Sequence, residues 1–102
     1  MIHLLNDLHE RGLPDRVRVA DLLFAVERRY DMGDNLGTTC SGPGIIQIEG
    51  RQTKESTINT LIHEIIHIID YQVCGNVLTE AQVSAIATIL GTVQFEWDKE
   101  EK

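Results

Sequence analysis

Residues 56 to 73 read STINTLIHEIIHIIDYQV, an apolar run interrupted by His63, Glu64 and His67. The chain has four histidines, and two of them stand four residues apart around a carboxylate. On a helix, side chains at that spacing project from nearly the same side, about 6 Å apart, so His63 and His67 can hold one metal ion between them. Glu64 sits about 100° further round, outside the ligand direction but able to face a water in the metal's open position. Two imidazoles and a carboxylate suit zinc, Zn2+, which lowers the pKa of its bound water from about 16 toward 7. The pattern predicts His63 and His67 as ligands and Glu64 as general base, taking the water's proton as it attacks a carbonyl and passing it to the leaving amine. A lone histidine here would read as a polar residue flanking a core. The full H-E-x-x-H on a strongly periodic helix favours the metal.

A catalytic zinc needs a third protein ligand. Glu80, thirteen residues after His67 and in the first turn of the next helix, is the candidate. An acid there is also favoured by the helix macrodipole alone. Residues at the start of a return helix lie level with the end of the preceding one, so the connecting loop has to bring Glu80 back toward His63. His3 and His9 lie far upstream with no metal-type spacing, and Cys74 stands in VCGN, which reads as a helix end. Asp70, three residues after His67, is a candidate to orient an imidazole from behind the ligands, or else solvated surface. Tyr71, Tyr30 and Arg51 are candidates by chemistry alone to stabilise a developing oxyanion.

These residues need elements to position them. Ile58, Leu61, Ile62, Ile65, Ile68, Ile69 and Val73 fall on one face of a four-turn helix, which Gly75-Asn76 closes by taking the left-handed conformation. A second helix starts in LTEAQVSAIATILGTVQ: Thr79 and Gln82 form a capping-box pair, and Val83, Ile86, Leu90 and Val93 make its apolar face. Beside that face Ser84, Ala87 and Gly91 form a row of small residues with Glu80 at its head, which suits an antiparallel hairpin of the two helices. Upstream, GIIQIE (Gly44 to Glu49) reads as a strand, and MGDNLGTTCSGPG as loop with at most a short strand. The segment DRVRVADLLFAVERRYD fits either a helix or two strands around Ala20-Asp21. The first dozen residues suit a short helix ending near Gly12, with a turn at Leu13-Pro14, and the tail at 94–102 is acidic.

At 102 residues the chain makes one domain, 1–102, with a single modest core. A formal charge of −7, from 16 acids against 9 bases, disfavours nucleic acid and anionic membrane as partners. The local cluster of Arg16, Arg18, Arg28 and Arg29 reads as a solvated face. No run approaches membrane-span length and the N-terminus lacks signal-peptide features, so a cytoplasmic location is expected, with Cys40 and Cys74 as free thiols.

The residues TLIHEIIHIID followed, after a short glycine-containing turn, by LTEAQVSAIATIL resemble the small zincin-like metallopeptidases that recur among phage and prophage hypothetical proteins. The resemblance covers roughly residues 15 to 93 and rests mainly on the helix pair. It implies an α+β fold, a small antiparallel sheet packed on an antiparallel helix pair, and strands rather than helix over 15–29. It also implies ligands at His63, His67 and, as a gluzincin-like third ligand, Glu80, with Glu64 as catalytic acid/base. One departure is the glycine-rich TTCSGPG, where such chains tend to carry a polar turn.

Three functions compete on these readings. The leading one is a zinc-dependent peptidase whose GIIQIE strand pairs with an extended peptide or protein substrate by β-addition. The alternative is a non-catalytic zinc-stabilised interaction module, which a closed four-ligand site would favour. The third is a metal-free helical binding protein, whose folding would be indifferent to a chelator.

Overall fold

In the computed structural model, whose described residues are 12–19, 21–40, 42–90 and 93, the ambiguous segment forms two strands. These are β1 (Arg16–Val19) and β2 (Leu22–Arg29). They pair antiparallel with Val19 opposite Leu22. The connection is therefore a tight one, and Asp21 takes the left-handed conformation, φ 68°, that such hairpin turns need and that Asp tolerates. Val17 lies opposite Phe24, which is buried, while Leu23 and Ala25 between the inward residues are exposed. The short connection and this two-residue alternation outweigh the helical reading of the same letters. The helix expected over the first dozen residues, Gly91 of the small-residue row, and the acidic tail at 94–102 lie outside the described residues.

Two further strands, β3 (Gly37–Cys40) and β4 (Ile45–Glu49), complete a four-stranded sheet in the order β1-β2-β4-β3. β3 and β4 pair antiparallel, but β4 runs parallel to β2, with Ala25 opposite Ile45 and Arg29 opposite Glu49. The sheet is mixed, which corrects the expectation of an antiparallel one. The physical reason lies in the strands' composition. IIQIE is the most apolar strand, and its Ile46 and Ile48 are fully buried in the centre. The short polar GTTC takes the outer position, where an edge is best kept short and hydrophilic.

The first helix, α1 (Lys54–Ile69), starts at Thr53, whose side chain accepts a hydrogen bond from the Ser56 N–H. It packs against the sheet on one side and against the second helix, α2 (Glu80–Leu90), on the other. Ile58, Leu61, Ile62, Ile66 and Ile68 are buried in a core shared with Phe24, Ile46, Ile48, Val83 and Ala87. Each large aliphatic side chain so buried contributes about 1.5–3 kcal/mol of transfer free energy. The buried face differs from the expected one at its end: Ile66 is inside, whereas Ile69 and Val73 are exposed. For Val73 the cause is a widened turn. After Ile69 the chain continues as a π-helical segment, Asp70–Cys74, which breaks the 3.6-residue period. Gly75 and Asn76 then both take left-handed φ, 83° and 61°, and end it.

α2 begins with the expected capping box. The Thr79 N–H donates to Gln82 Oε1 at 2.9 Å, and the Gln82 N–H donates to Thr79 Oγ1 at 3.1 Å. Its buried stripe is narrow, Val83 and Ala87, while Ile86 and Leu90 of the expected apolar face are largely exposed. Of the row of small residues, Ala87 is buried and Ser84 is exposed. The architecture is α+β, and no described helix is long and apolar enough to cross a membrane.

Candidate metal centre

His63 and His67 lie on consecutive turns of α1, with ring centroids 4.8 Å apart. Their Nε2 atoms are 3.2 Å from each other. Glu80, the first residue of α2, reaches both: its Oε2 is 2.6 Å from His63 Nε2 and its Oε1 is 3.1 Å from His67 Nε2. The loop therefore does return the glutamate to the level of His63. Tetrahedral donors bound about 2.0–2.1 Å from one ion stand roughly 3.3 Å apart, which is close to the separation of the two nitrogens. One donor atom from each of the three residues lies within 4.8 Å of the others, and among the described residues no other group of three or more His, Cys, Asp or Glu could hold a metal. Two imidazoles and one carboxylate are a donor set that could hold a metal ion.

Glu64 lines the same cavity as the three donors, about 680 Å³ in volume. Its side chain is buried, and Oε1 accepts a 2.6 Å hydrogen bond from the Thr39 hydroxyl on β3. The other oxygen, Oε2, lies beside Gly37, where a Cβ would sit 3.4 Å away. Neither Thr39 nor Gly37 was singled out from the sequence. The available signal was a glycine inside a strand, which often marks a close approach of another chain segment.

Two anchors hold β3 in that place. Glu49, buried at the end of β4, accepts hydrogen bonds from the Met32 and Arg51 N–H groups and from Arg51 Nε. The Arg51 guanidinium holds its carboxyl below the usual carboxylate range, with help from the two amides and against burial. Gln52 Nε2 donates to the carbonyls of Leu36 and Glu49, tying the residue before β3 to the end of β4.

The remaining sequence candidates separate cleanly. Tyr71 lines the cavity, whereas Arg51 is engaged with Glu49 and Tyr30 lies against Gly50, away from it. Asp70 does not orient an imidazole: both of its carboxylate oxygens accept from backbone N–H groups of the loop between the helices, because the π-helical turn swings that loop over it. Cys40 and Cys74 are free, and the four arginines at 16, 18, 28 and 29 are exposed. GIIQIE is not an exposed strand. It is β4, paired on both sides, and the open edge that lines the cavity belongs to β3, through Gly37, Thr38 and Thr39. No protein-family model, curated protein or solved structure matches the chain.

Proposed function

We propose that the chain is a zinc-dependent metallopeptidase of minimal zincin-like form, with H-E-x-x-H on one helix of an antiparallel pair and a gluzincin-like glutamate on the other. The observation that carries this reading is the convergence of His63, His67 and Glu80 beside a buried, pinned Glu64 in one open cavity. Zinc held by His63, His67 and Glu80 would supply a water of lowered pKa and a Lewis acid for the scissile carbonyl.

The chain's own residues do the rest. Glu64 Oε1 is occupied by Thr39, so Oε2 is the atom that accepts the proton of the attacking water and returns it to the departing amine nitrogen as the C–N bond breaks. Tyr71, which lines the cavity, is the candidate donor to the carbonyl oxygen as it gains charge. An extended peptide would add to the free edge of β3, its backbone satisfied by that strand and its carbonyl carried past Glu64. The free cysteines suit a cytoplasmic protein.

A non-catalytic zinc module would call for a fourth protein ligand, and the described residues bring three together. The deciding experiment measures zinc content and hydrolysis of an unstructured protein substrate for the wild type, His63→Ala/His67→Ala and Glu64→Gln. One zinc per chain should be lost in the first variant and kept in the second, with hydrolysis falling about 10² to 10⁴-fold in Glu64→Gln. A wild type that cannot be loaded with zinc would sink the metal centre. Equal hydrolysis in Glu64→Gln would sink the peptidase.

A further inference from the structure

The carboxylate of Asp70 is 1 % exposed and takes no part in the chemistry above. The residue as a whole nonetheless collects four consecutive backbone amides, two on its carbonyl and two on its carboxylate. The N–H groups of Gly75 and Asn76 donate to the Asp70 carbonyl, the latter at 2.9 Å. The Val77 N–H donates to Oδ1 at 2.9 Å and the Leu78 N–H to Oδ2 at 3.1 Å. The next amide, Thr79, is taken by Gln82. Every N–H from Gly75 to Thr79 therefore has an acceptor, four of them on one residue, and the residue that follows is Glu80.

We propose that Asp70 is a positioning residue for Glu80: it clamps the helix-connecting loop so that the third donor is set against His63 and His67 before any metal arrives. The proposal rests on the metal-centre reading. Its physical basis is the mismatch between the two ends of Glu80. The side chain is 68 % exposed and little contained by packing, so its two short contacts to the imidazoles depend on where its backbone is held. Charge-assisted bonds from consecutive amides to a buried carboxylate are short, directional and strong enough to do this. A fixed backbone also removes ordering entropy that metal binding would otherwise have to overcome.

The test is a zinc titration against a competing chelator for the wild type, Asp70→Asn, Glu80→Gln and the double variant. Asp70→Asn turns an acceptor oxygen into an NH2 group that faces an amide N–H, so one loop amide loses its partner. Zinc affinity should fall 10-fold or more in Asp70→Asn and fall little further when Asp70→Asn is added to Glu80→Gln. Equal losses in the two backgrounds would mean general loosening and overturn the proposal, as would unchanged affinity in Asp70→Asn. If Asp70→Asn does not fold, amide hydrogen exchange on metal-free wild type reads the clamp directly. Protected Val77 and Leu78 amides support it, and exchange at free-peptide rates overturns it. Wild-type protein that takes up no zinc removes the metal centre and this role together, whereas zinc uptake unaffected by Asp70→Asn removes only the role of Asp70.

Discussion

The Thr39 hydroxyl donates a 2.6 Å hydrogen bond to Glu64 Oε1, joining the outer strand of the sheet to the middle of the H-E-x-x-H helix. A carboxylate on a helix side chain has three rotatable bonds, and a neutral hydroxyl from a different element fixes where it ends. It leaves the other oxygen, Oε2, beside the bare backbone of Gly37 and directed into the shared cavity. On the proposed reading, the strand that receives the peptide also aims the base.

Thr39→Val keeps the shape of the side chain and removes the donor. Zinc affinity should be unchanged, because none of the three ligands is touched, while kcat falls about 10 to 100-fold, the usual effect of removing a partner that orients a reacting group. Thr39→Ser restores the hydroxyl and should recover most of the rate. Steady-state kinetics with a matched zinc titration checks both, and a Thr39→Val variant of wild-type kcat would show that Glu64 needs no such support.

The third ligand separates a metal site from a helix-terminal charge. As a cap alone, Glu80 would contribute about 0.3–1 kcal/mol through the helix dipole, and Glu80→Gln would bind zinc as well as the wild type. As a ligand 2.6 Å from one imidazole and 3.1 Å from the other, its replacement should weaken zinc by 10-fold to 100-fold or more. Glu55→Gln, an exposed acid in the first turn of α1, is the control. Equal zinc affinities in the two variants would remove Glu80 from the site.

The helices and the meeting of His63, His67 and Glu80 could be read from spacing because the signals are local: i, i+4 histidines, a capping box, a Gly-Asn stop. What escaped was set by contacts between distant segments. The parallel pairing of β2 with β4 depends on which strand gains most from the centre, a comparison that no single segment contains. The role of Thr39 depends on a side chain 25 positions away. Asp70 lies three residues past His67, a spacing that suggests support for the imidazole, and only the π-helical turn turns it toward the loop instead. Val73 leaves the buried face for the same reason: the helical period does not continue through that turn.

Glu49 makes acid sensitivity testable. Its carboxyl is held below its ordinary value of 4.5, chiefly by Arg51. A depressed folded-state pKa means that the ionised form is favoured by folding. The stabilisation is complete above the unfolded value and is lost as pH falls through the lower folded one. Thermal melts of the wild type and Glu49→Gln should therefore differ at pH 7 and converge as pH drops below about 4.5. A gap that stays constant with pH would mean that Glu49 acts through packing and not through its charge.

Gly37 is a point of close approach between sheet and helix. A Cβ there would lie 2.5 Å from Thr60 Cγ2 on α1, and 3.4 Å from both the Gln47 carbonyl oxygen and Glu64 Oε2. Both β3 and α1 are packed, so Gly37→Ala has to push them apart, at a cost of about 1–3 kcal/mol. In a domain of this size each 1 kcal/mol lowers Tm by about 4–8 °C. The offending atom is a single methyl group. Thr60→Ser removes it and keeps the hydroxyl that donates to the Ser56 carbonyl. The double variant Gly37→Ala/Thr60→Ser should therefore regain most of the lost Tm, and with it the Thr39 to Glu64 bond and the hydrolysis that depends on it. If Gly37→Ala lowers Tm equally with and without Thr60→Ser, the glycine serves some purpose other than this close approach.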